Sequence, residues 1–292
     1  MKKCILCDGI NLDTIYNGQI RSGSFKKLTT ESFAVIKCKS CGIGKLEPFP
    51  KLDYTSSEYR ELYNDTSQIS KYIQMHDHEQ IPRISSIGIE KFRNKVIADL
   101  GCGGGSFLDA VKGVASKTIG IEPFTGYHKS LKNRGHEVFS SIEEIDAKYL
   151  NNLDIIISFG VIEHTNNPIE YLQGAFTLLK KNGELYIETD NVNDFLMGIE
   201  LDEFKQFFYR TAHYWYFDDS SLKKSLEIVG FENIKVGFRH GYDLSNTLLW
   251  LRDRIPTGVG KIKSISKNCN SSWVNYLEQS GQAELLHFSA VK

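Results

Sequence analysis

Asp99-Leu100-Gly101-Cys102-Gly103-Gly104-Gly105-Ser106 follows the short apolar run Val96-Ile97-Ala98 and precedes a stretch whose apolar residues, Phe107, Leu108, Val111 and Val114, recur at helical spacing. The pattern predicts a strand, a glycine turn and a helix. Gly101, Gly103 and Gly105 carry no Cβ, so the backbone can approach a bound molecule closely there. Further on, Thr118-Ile119-Gly120-Ile121 reads as a second short strand that runs into Glu122 and Pro123. A carboxylate at that point can accept hydrogen bonds from both hydroxyls of a ribose. Together the two segments describe a pocket for an adenosine-containing cofactor.

The spacing of the glycines separates the candidate cofactors. A dinucleotide fingerprint reads G-x-G-x-x-G and holds a pyrophosphate at a helix N-terminus. Here the glycines fall as G-x-G-x-G, with Asp99 just ahead of the first. That carboxylate suits a cationic amino group, such as the one on the methionine part of S-adenosylmethionine, and would repel a pyrophosphate. The run from Asp99 to Gly105 closely resembles motif I of class I S-adenosylmethionine-dependent methyltransferases, and Gly120-Ile121-Glu122-Pro123 resembles their ribose-binding strand end. The resemblance implies S-adenosylmethionine as cofactor. It places Asp99, Gly101, Cys102, Gly103, Gly105, Glu122 and Pro123 around it, with Phe159 and Gly160 at the end of a later strand.

Beyond the turn, strands and helices alternate. Ser130 to Arg134 closes a second helix before Gly135, and Val138-Phe139 suggests a third strand. Leu153 to Phe159 is nearly continuous apolar sequence, as expected of a central parallel strand buried on both faces. Asn167 caps a helix with Pro168 in its first position, Ile169, Leu172, Phe176 and Leu179 form its buried stripe, and Gly183 marks its end. Leu185-Tyr186-Ile187 is a fifth strand, Ser221 to Val229 a further helix, and Ile234 to Phe238 and Leu285 to Val291 finish the sheet. The expected fold is α/β, a doubly wound, seven-stranded Rossmann-like sheet with its ligand crevice at the carboxyl ends of the strands. A reversed final strand, with no full helix pattern ahead of it, is what the methyltransferase resemblance implies.

The chain has 292 residues, 41% hydrophobic and 24% charged, with a formal net charge of −1. This is ordinary for a globular protein and gives no global pull toward nucleic acid or an anionic membrane. No stretch approaches the ~18 apolar residues of a membrane span, and the N-terminus lacks the apolar core of a secretory signal. A cytoplasmic location is expected. Four of the six cysteines are paired, as Cys4-x-x-Cys7 and Cys38-x-x-Cys41. In a cytosolic protein such pairs point to a tetrahedral S₄ site for structural zinc. The interval of thirty residues between them exceeds the usual span of about fifteen to twenty, which a longer β-loop can absorb. The expected organisation is a zinc-ribbon-like module over 1–48 and a helical, tyrosine-rich cap over 49–94 (Tyr54, Tyr59, Tyr63, Tyr72) that folds over the cofactor mouth. A methyltransferase domain over 95–292 follows, with an insertion at about 239–283.

Reacting groups belong at the carboxyl end of a central strand. There the chain reads Val161-Ile162-Glu163-His164. A histidine can accept a proton at neutral pH. His164 is the candidate base for a poor nucleophile, with Glu163 as its orienting partner or a second base. His213 is the runner-up, in the aromatic segment His213-Tyr214-Trp215-Tyr216-Phe217 that follows Phe207-Phe208-Tyr209-Arg210. Most of these aromatics read equally well as core. Arg252 and Arg254 can bind a phosphate or simply line a solvated helix face.

An N-terminal pair of Cys-x-x-Cys knuckles joined to this catalytic domain resembles nucleotide-sugar methyltransferases of deoxysugar and surface-polysaccharide pathways. The resemblance implies a small-molecule or nucleotide-linked sugar acceptor, no membrane partner, and leaves a homo-oligomer open. The zinc-bearing sugar C-methyltransferases carry an additional C-terminal α/β module, whereas this chain ends after its seventh strand. Methylation of a sugar hydroxyl is therefore the expectation, with C-methylation, favoured by the Glu163–His164 pair, as alternative. A ribosomal RNA base methyltransferase is a second alternative, since Lys2, Lys3, Arg21, Lys26, Lys27, Lys37, Lys39 and Lys45 make the N-terminal segment locally basic. A non-catalytic cofactor-binding module is the third.

Overall fold

A computed structural model describes residues 3–57 and 69–292, so Lys2, Tyr59 and Tyr63 lie outside the described residues. In chain order the strands are β1 (Leu12–Gly18), β2 (Phe33–Cys38), β3 (Gly44–Glu47), β4 (Val96–Leu100), β5 (Lys117–Ile121), β6 (Glu137–Phe139), β7 (Leu153–Phe159), β8 (Leu179–Asp190), β9 (Trp215–Tyr216), β10 (Glu232–Arg239) and β11 (Leu285–Val291). The helices are α1 (Ile69–Ile87), α2 (Ser106–Val111), α3 (His128–Asn133), α4 (Pro168–Leu178), α5 (Phe195–Gly198), α6 (Asp202–Phe208), α7 (Asp219–Val229), α8 (Leu244–Asp253) and α9 (Lys267–Gln279).

Seven strands form the expected sheet in the order β10-β11-β8-β7-β4-β5-β6. β4 pairs in parallel with β5 and β7, and β5 with β6. The final strand is reversed. Asn191 N–H bonds to the Glu284 carbonyl and Asn182 N–H to the Lys292 carbonyl, so β11 runs against β8. β4 and β7 occupy the middle of the sheet because Ile97, Ala98, Leu153, Ile156 and Ile157 can be buried completely.

Three local expectations are corrected. The helix begun by Asn167 ends at Leu178 instead of Gly183. Residues 179–183 are strand, and Gly183 lacks a Cβ because one there would meet the Lys180 and Leu153 carbonyls at 2.9 and 3.0 Å. The first helix stops at Val111, so Val114 packs on the core from the turn beyond it. Two helices, α8 and α9, precede the last strand. Asp243 caps the first and Ser266 the second, their side chains accepting from the N–H of Asn246 and Cys269.

The chain packs as two compact units. One comprises residues 51–187, 225–234 and 289–292. Phe92, Ile97, Phe107, Val111, Ile155 and Ile157 form one core cluster there, and Cys102, Leu108, Tyr127, Leu131 and Val138 another. The other unit comprises residues 1–50, 188–224 and 235–288. It contains a four-stranded sheet in the order β1-β2-β3-β9 over a core of Val35, Leu46, Phe204, Phe208, Tyr216 and Trp250. Among the described residues no helix is long and apolar enough to cross a membrane.

Candidate active site

The glycine turn leaves β4 at its carboxyl end. Gly101, Gly103 and Gly105 all have positive φ, at 76°, 52° and 88°, which side chains with a Cβ rarely adopt. A Cβ on Gly101 would press on Val161, and one on Gly103 would overlap the Tyr72 hydroxyl. Tyr72 belongs to α1, and its ring also lies against Gly104.

Glu122 follows β5 and is almost completely buried. Its Oε2 accepts a hydrogen bond from Gly103 N–H at 2.9 Å and its Oε1 one from Phe124 N–H at 2.8 Å. The carboxylate therefore ties the glycine turn to the segment that follows β5. His128 Nε2 lies 2.7 Å from the Glu122 carbonyl and holds the segment from behind. Pro123 is half-buried beside it.

Asp99 stands opposite Gly120 in the β4–β5 register and is also buried. Burial pushes its carboxyl up to about 8; Arg83 opposes that shift and the nearby Glu122 adds to it. A cation delivered beside Asp99 would restore its charge. Arg83, on α1, stacks its guanidinium 4.8 Å above the Phe159 ring and bonds to Glu79 Oε2 at 3.1 Å. Arg83 had no sequence signal, since α1 is polar on most of its surface.

Cys102 lies within the turn, but its side chain is core. A Cβ on Gly120 would meet its Sγ at 2.6 Å, and Leu108 packs alongside. Its backbone N–H bonds to the Ile121 carbonyl at 3.1 Å, and its Sγ lies 3.7 Å from the Gly103 carbonyl.

After Phe159, Gly160 turns the chain at φ 67° into the single helical turn Ile162–His164. Glu163 is buried and His164 half-buried, its ring edge-on to Tyr54 at 5.5 Å. Asn167 caps α4 as expected, its Oδ1 accepting from the N–H of Ile169 at 3.0 Å and of Glu170 at 3.4 Å.

In the other unit the two knuckles come together. β1 and β2 form an antiparallel hairpin that sets Leu12 opposite Cys38, which accounts for the long interval between the pairs. Cys4 and Cys41 Sγ are 3.4 Å apart and Cys7 and Cys38 Sγ 3.5 Å, and all four sulfurs lie within 4.8 Å of one another. Four thiolates at ~2.3 Å from one zinc ion would sit roughly 3.8 Å apart, so this donor set fits a tetrahedral metal. β3 then pairs with β9, matching Gly44 to Tyr216 and Lys45 to Trp215. Gly42 must be glycine here, because a Cβ would overlap the Asp218 carboxylate.

His213 is buried near Asp190 at the end of β8. Its Nδ1 lies 3.3 Å from Asp190 Oδ2 and 3.3 Å from Arg210 Nε, and Arg210 also pairs with Asp190. Tyr209 and Tyr214 to Phe217 are buried, as core residues would be. Arg252 is exposed and bonds to the adjacent Asp253 at 2.6 and 2.7 Å, the arrangement of a solvated face.

A doubly wound sheet with a positive-φ glycine turn after β4, and buried carboxylates at the ends of β4 and β5, defines an S-adenosylmethionine-dependent methyltransferase. Residues 74–236 match the family described as a methyltransferase domain, and the chain belongs to that family. A tRNA U34 carboxymethyltransferase of Helicobacter pylori (strain G27) is 30% identical over 154 residues, covering 49% of this chain and 59% of that protein. The chain thus matches less than two thirds of that relative's length. An S-adenosylmethionine-dependent methyltransferase from Archaeoglobus fulgidus shares the fold with a TM-score of 0.54 at 19% identity, covering 76% of this chain and 99% of that one. Phosphoethanolamine N-methyltransferase 2 of Haemonchus contortus, solved with S-adenosyl-L-methionine, gives 0.51 at 16% identity over 85% and 62% of the two chains. The likeness to nucleotide-sugar methyltransferases expected from the cysteine knuckles finds no support among these proteins.

Proposed function

We propose that the protein transfers the methyl group of S-adenosylmethionine to a hydroxyl of a small sugar-type acceptor. When bound, the cofactor supplies a methyl group on a sulfonium centre. In this reading Glu122 receives the ribose hydroxyls, Asp99 the amino group, and Gly101, Gly103, Gly105, Cys102, Pro123, Phe159 and Gly160 enclose the donor. Holding donor and acceptor in line supplies about 7–11 kcal/mol of the barrier reduction in such displacements. His164, in the same unit as the glycine turn, takes the acceptor proton, and Glu163 orients it. His213 is the alternative base, with Asp190 and Arg210 as its partners. Cys4, Cys7, Cys38 and Cys41 hold a structural zinc ion, and four thiolates leave it no open position for catalysis.

The observation that carries the choice of acceptor is charge. Lys37 pairs with Asp218, Lys39 with Asp13 and Lys45 with Glu47, so three of the eight basic residues of the N-terminal segment face a carboxylate of the protein itself. RNA recognition relies on uncompensated cations along the phosphate track. A tRNA acceptor is the second reading, favoured by the likeness to the Helicobacter enzyme. Incubation with isotopically labelled S-adenosylmethionine, nucleotide sugars and bulk tRNA, read by mass spectrometry, separates them. Label in a nucleotide sugar supports the proposal. Label in tRNA alone, with salt-sensitive binding, overturns it.

A further inference from the structure

Three consecutive glycines, 103 to 105, make a turn that loses unusually much backbone freedom on ordering. Something outside the turn must hold it. Glu122 secures one side through Gly103 N–H. The opposite side is secured by residues that no motif contains.

Arg134 follows α3, and its Nη2 donates to the Gly104 carbonyl while Nη1 donates to Asp109 Oδ2 on α2. The guanidinium also lies against Gly105, whose missing Cβ would sit 3.4 Å from Nη2. Asp109 is held in turn. Its Oδ1 is 3.1 Å from His136 Nε2 and 3.2 Å from Lys112 Nζ. His136 is buried, and its Nδ1 is 2.7 Å from Thr118 Oγ1 on β5. Burial, helped by Arg134 and Lys112, pulls the imidazole down to about 4, so it is neutral at physiological pH. Since ionised Asp109 can only accept, Nε2 carries the proton and Nδ1 accepts from the Thr118 hydroxyl. The chain of bonds thus runs from β5 through His136, Asp109 and Arg134 to the peptide between Gly104 and Gly105.

We infer that Arg134, oriented by Asp109 and His136, is a positioning residue that presets the glycine turn for the methyl donor. The inference rests on the reading that this turn binds S-adenosylmethionine. A planar fork is required to reach Asp109 and Gly104 together, and an ammonium cannot replace it.

The test is calorimetric titration of the full chain with S-adenosylmethionine, alongside hydrogen exchange of peptides covering 101–106. The wild type is titrated first, and its failure to bind removes the underlying reading and not this one alone. With binding established, Arg134→Ala is expected to weaken affinity on the order of tenfold, the scale of one lost charge-assisted hydrogen bond. Exchange should rise at 101–106 and not in β4 or β7. Added guanidinium ion, below denaturing concentration, should restore affinity, and Arg134→Lys should not. Should Arg134→Ala fail to fold, Asp109→Asn keeps the side-chain shape and should weaken binding severalfold with the same local rise in exchange. Affinity within twofold of wild type in the folded variant, or no rescue by guanidinium, overturns the inference.

Discussion

Asp99 offers a quantitative test of how the donor is held. With its carboxyl pushed up to about 8, roughly one Asp99 in ten is ionised at pH 7 and about one in a hundred at pH 6. If the donor's ammonium binds only the ionised form, affinity should rise about ninefold from pH 6 to pH 7, a gain of about 1.3 kcal/mol. The window stops at pH 7 because an α-amino group itself titrates at about 7.7–8.0. Binding at pH 7 should release close to ~0.9 proton per donor molecule. Calorimetry in buffers of different ionisation enthalpy measures both quantities. Asp99→Asn should flatten the pH dependence and abolish the proton release. The same shift has a sign for folding. A carboxyl raised above its unfolded value of about 3.9 contributes stability in full only below that value, and loses it as pH rises through about 8. The ligand-free Asp99→Asn protein should therefore gain most in Tm, relative to wild type, above pH 8. A wild-type affinity that is flat between pH 6 and 7, with no proton released, would refute the reasoning.

Glu122→Ala removes the acceptor of two backbone N–H groups as well as the ribose partner, so donor affinity should fall well over tenfold by the same titration; near-wild-type affinity would sink the ribose role. His164→Ala should lower turnover by roughly 10²–10⁴ with donor affinity little changed. A larger drop in His213→Ala than in His164→Ala, measured once an acceptor is known, would transfer the base role to His213. Removing metal with a chelator should raise hydrogen exchange in β1 to β3 and, through the Gly44–Tyr216 pairing, in residues 214–217; unchanged exchange there would argue against structural zinc.

The sheet was legible because its signals are local. Val96 to Gly105 combines an apolar run with glycines where φ must be positive, and Asn167-Pro168 announces α4 by cap chemistry alone. The end of α4 was not legible. Gly183 resembles a helix stop, yet it is set by strand pairing with Lys292, over a hundred residues away, whose N–H bonds to its carbonyl at 3.0 Å. β9 is a strand of two residues whose partner lies in β3, so no periodicity could mark it. In the candidate site, Glu122 and the glycines follow from their spacing, whereas Arg83 and Arg134 act through tertiary placement. An arginine on a polar helix looks the same in sequence whether it faces solvent or a buried carboxylate.

The central claim is that the turn between β4 and α2 accepts a sulfonium-bearing nucleoside. Equilibrium titration of the wild-type chain with S-adenosylmethionine, with NAD as the competitor of the other class, addresses it most directly. One molecule bound per chain, displaced by S-adenosylhomocysteine and indifferent to NAD, is the predicted result. No detectable binding, or displacement by NAD, would contradict it.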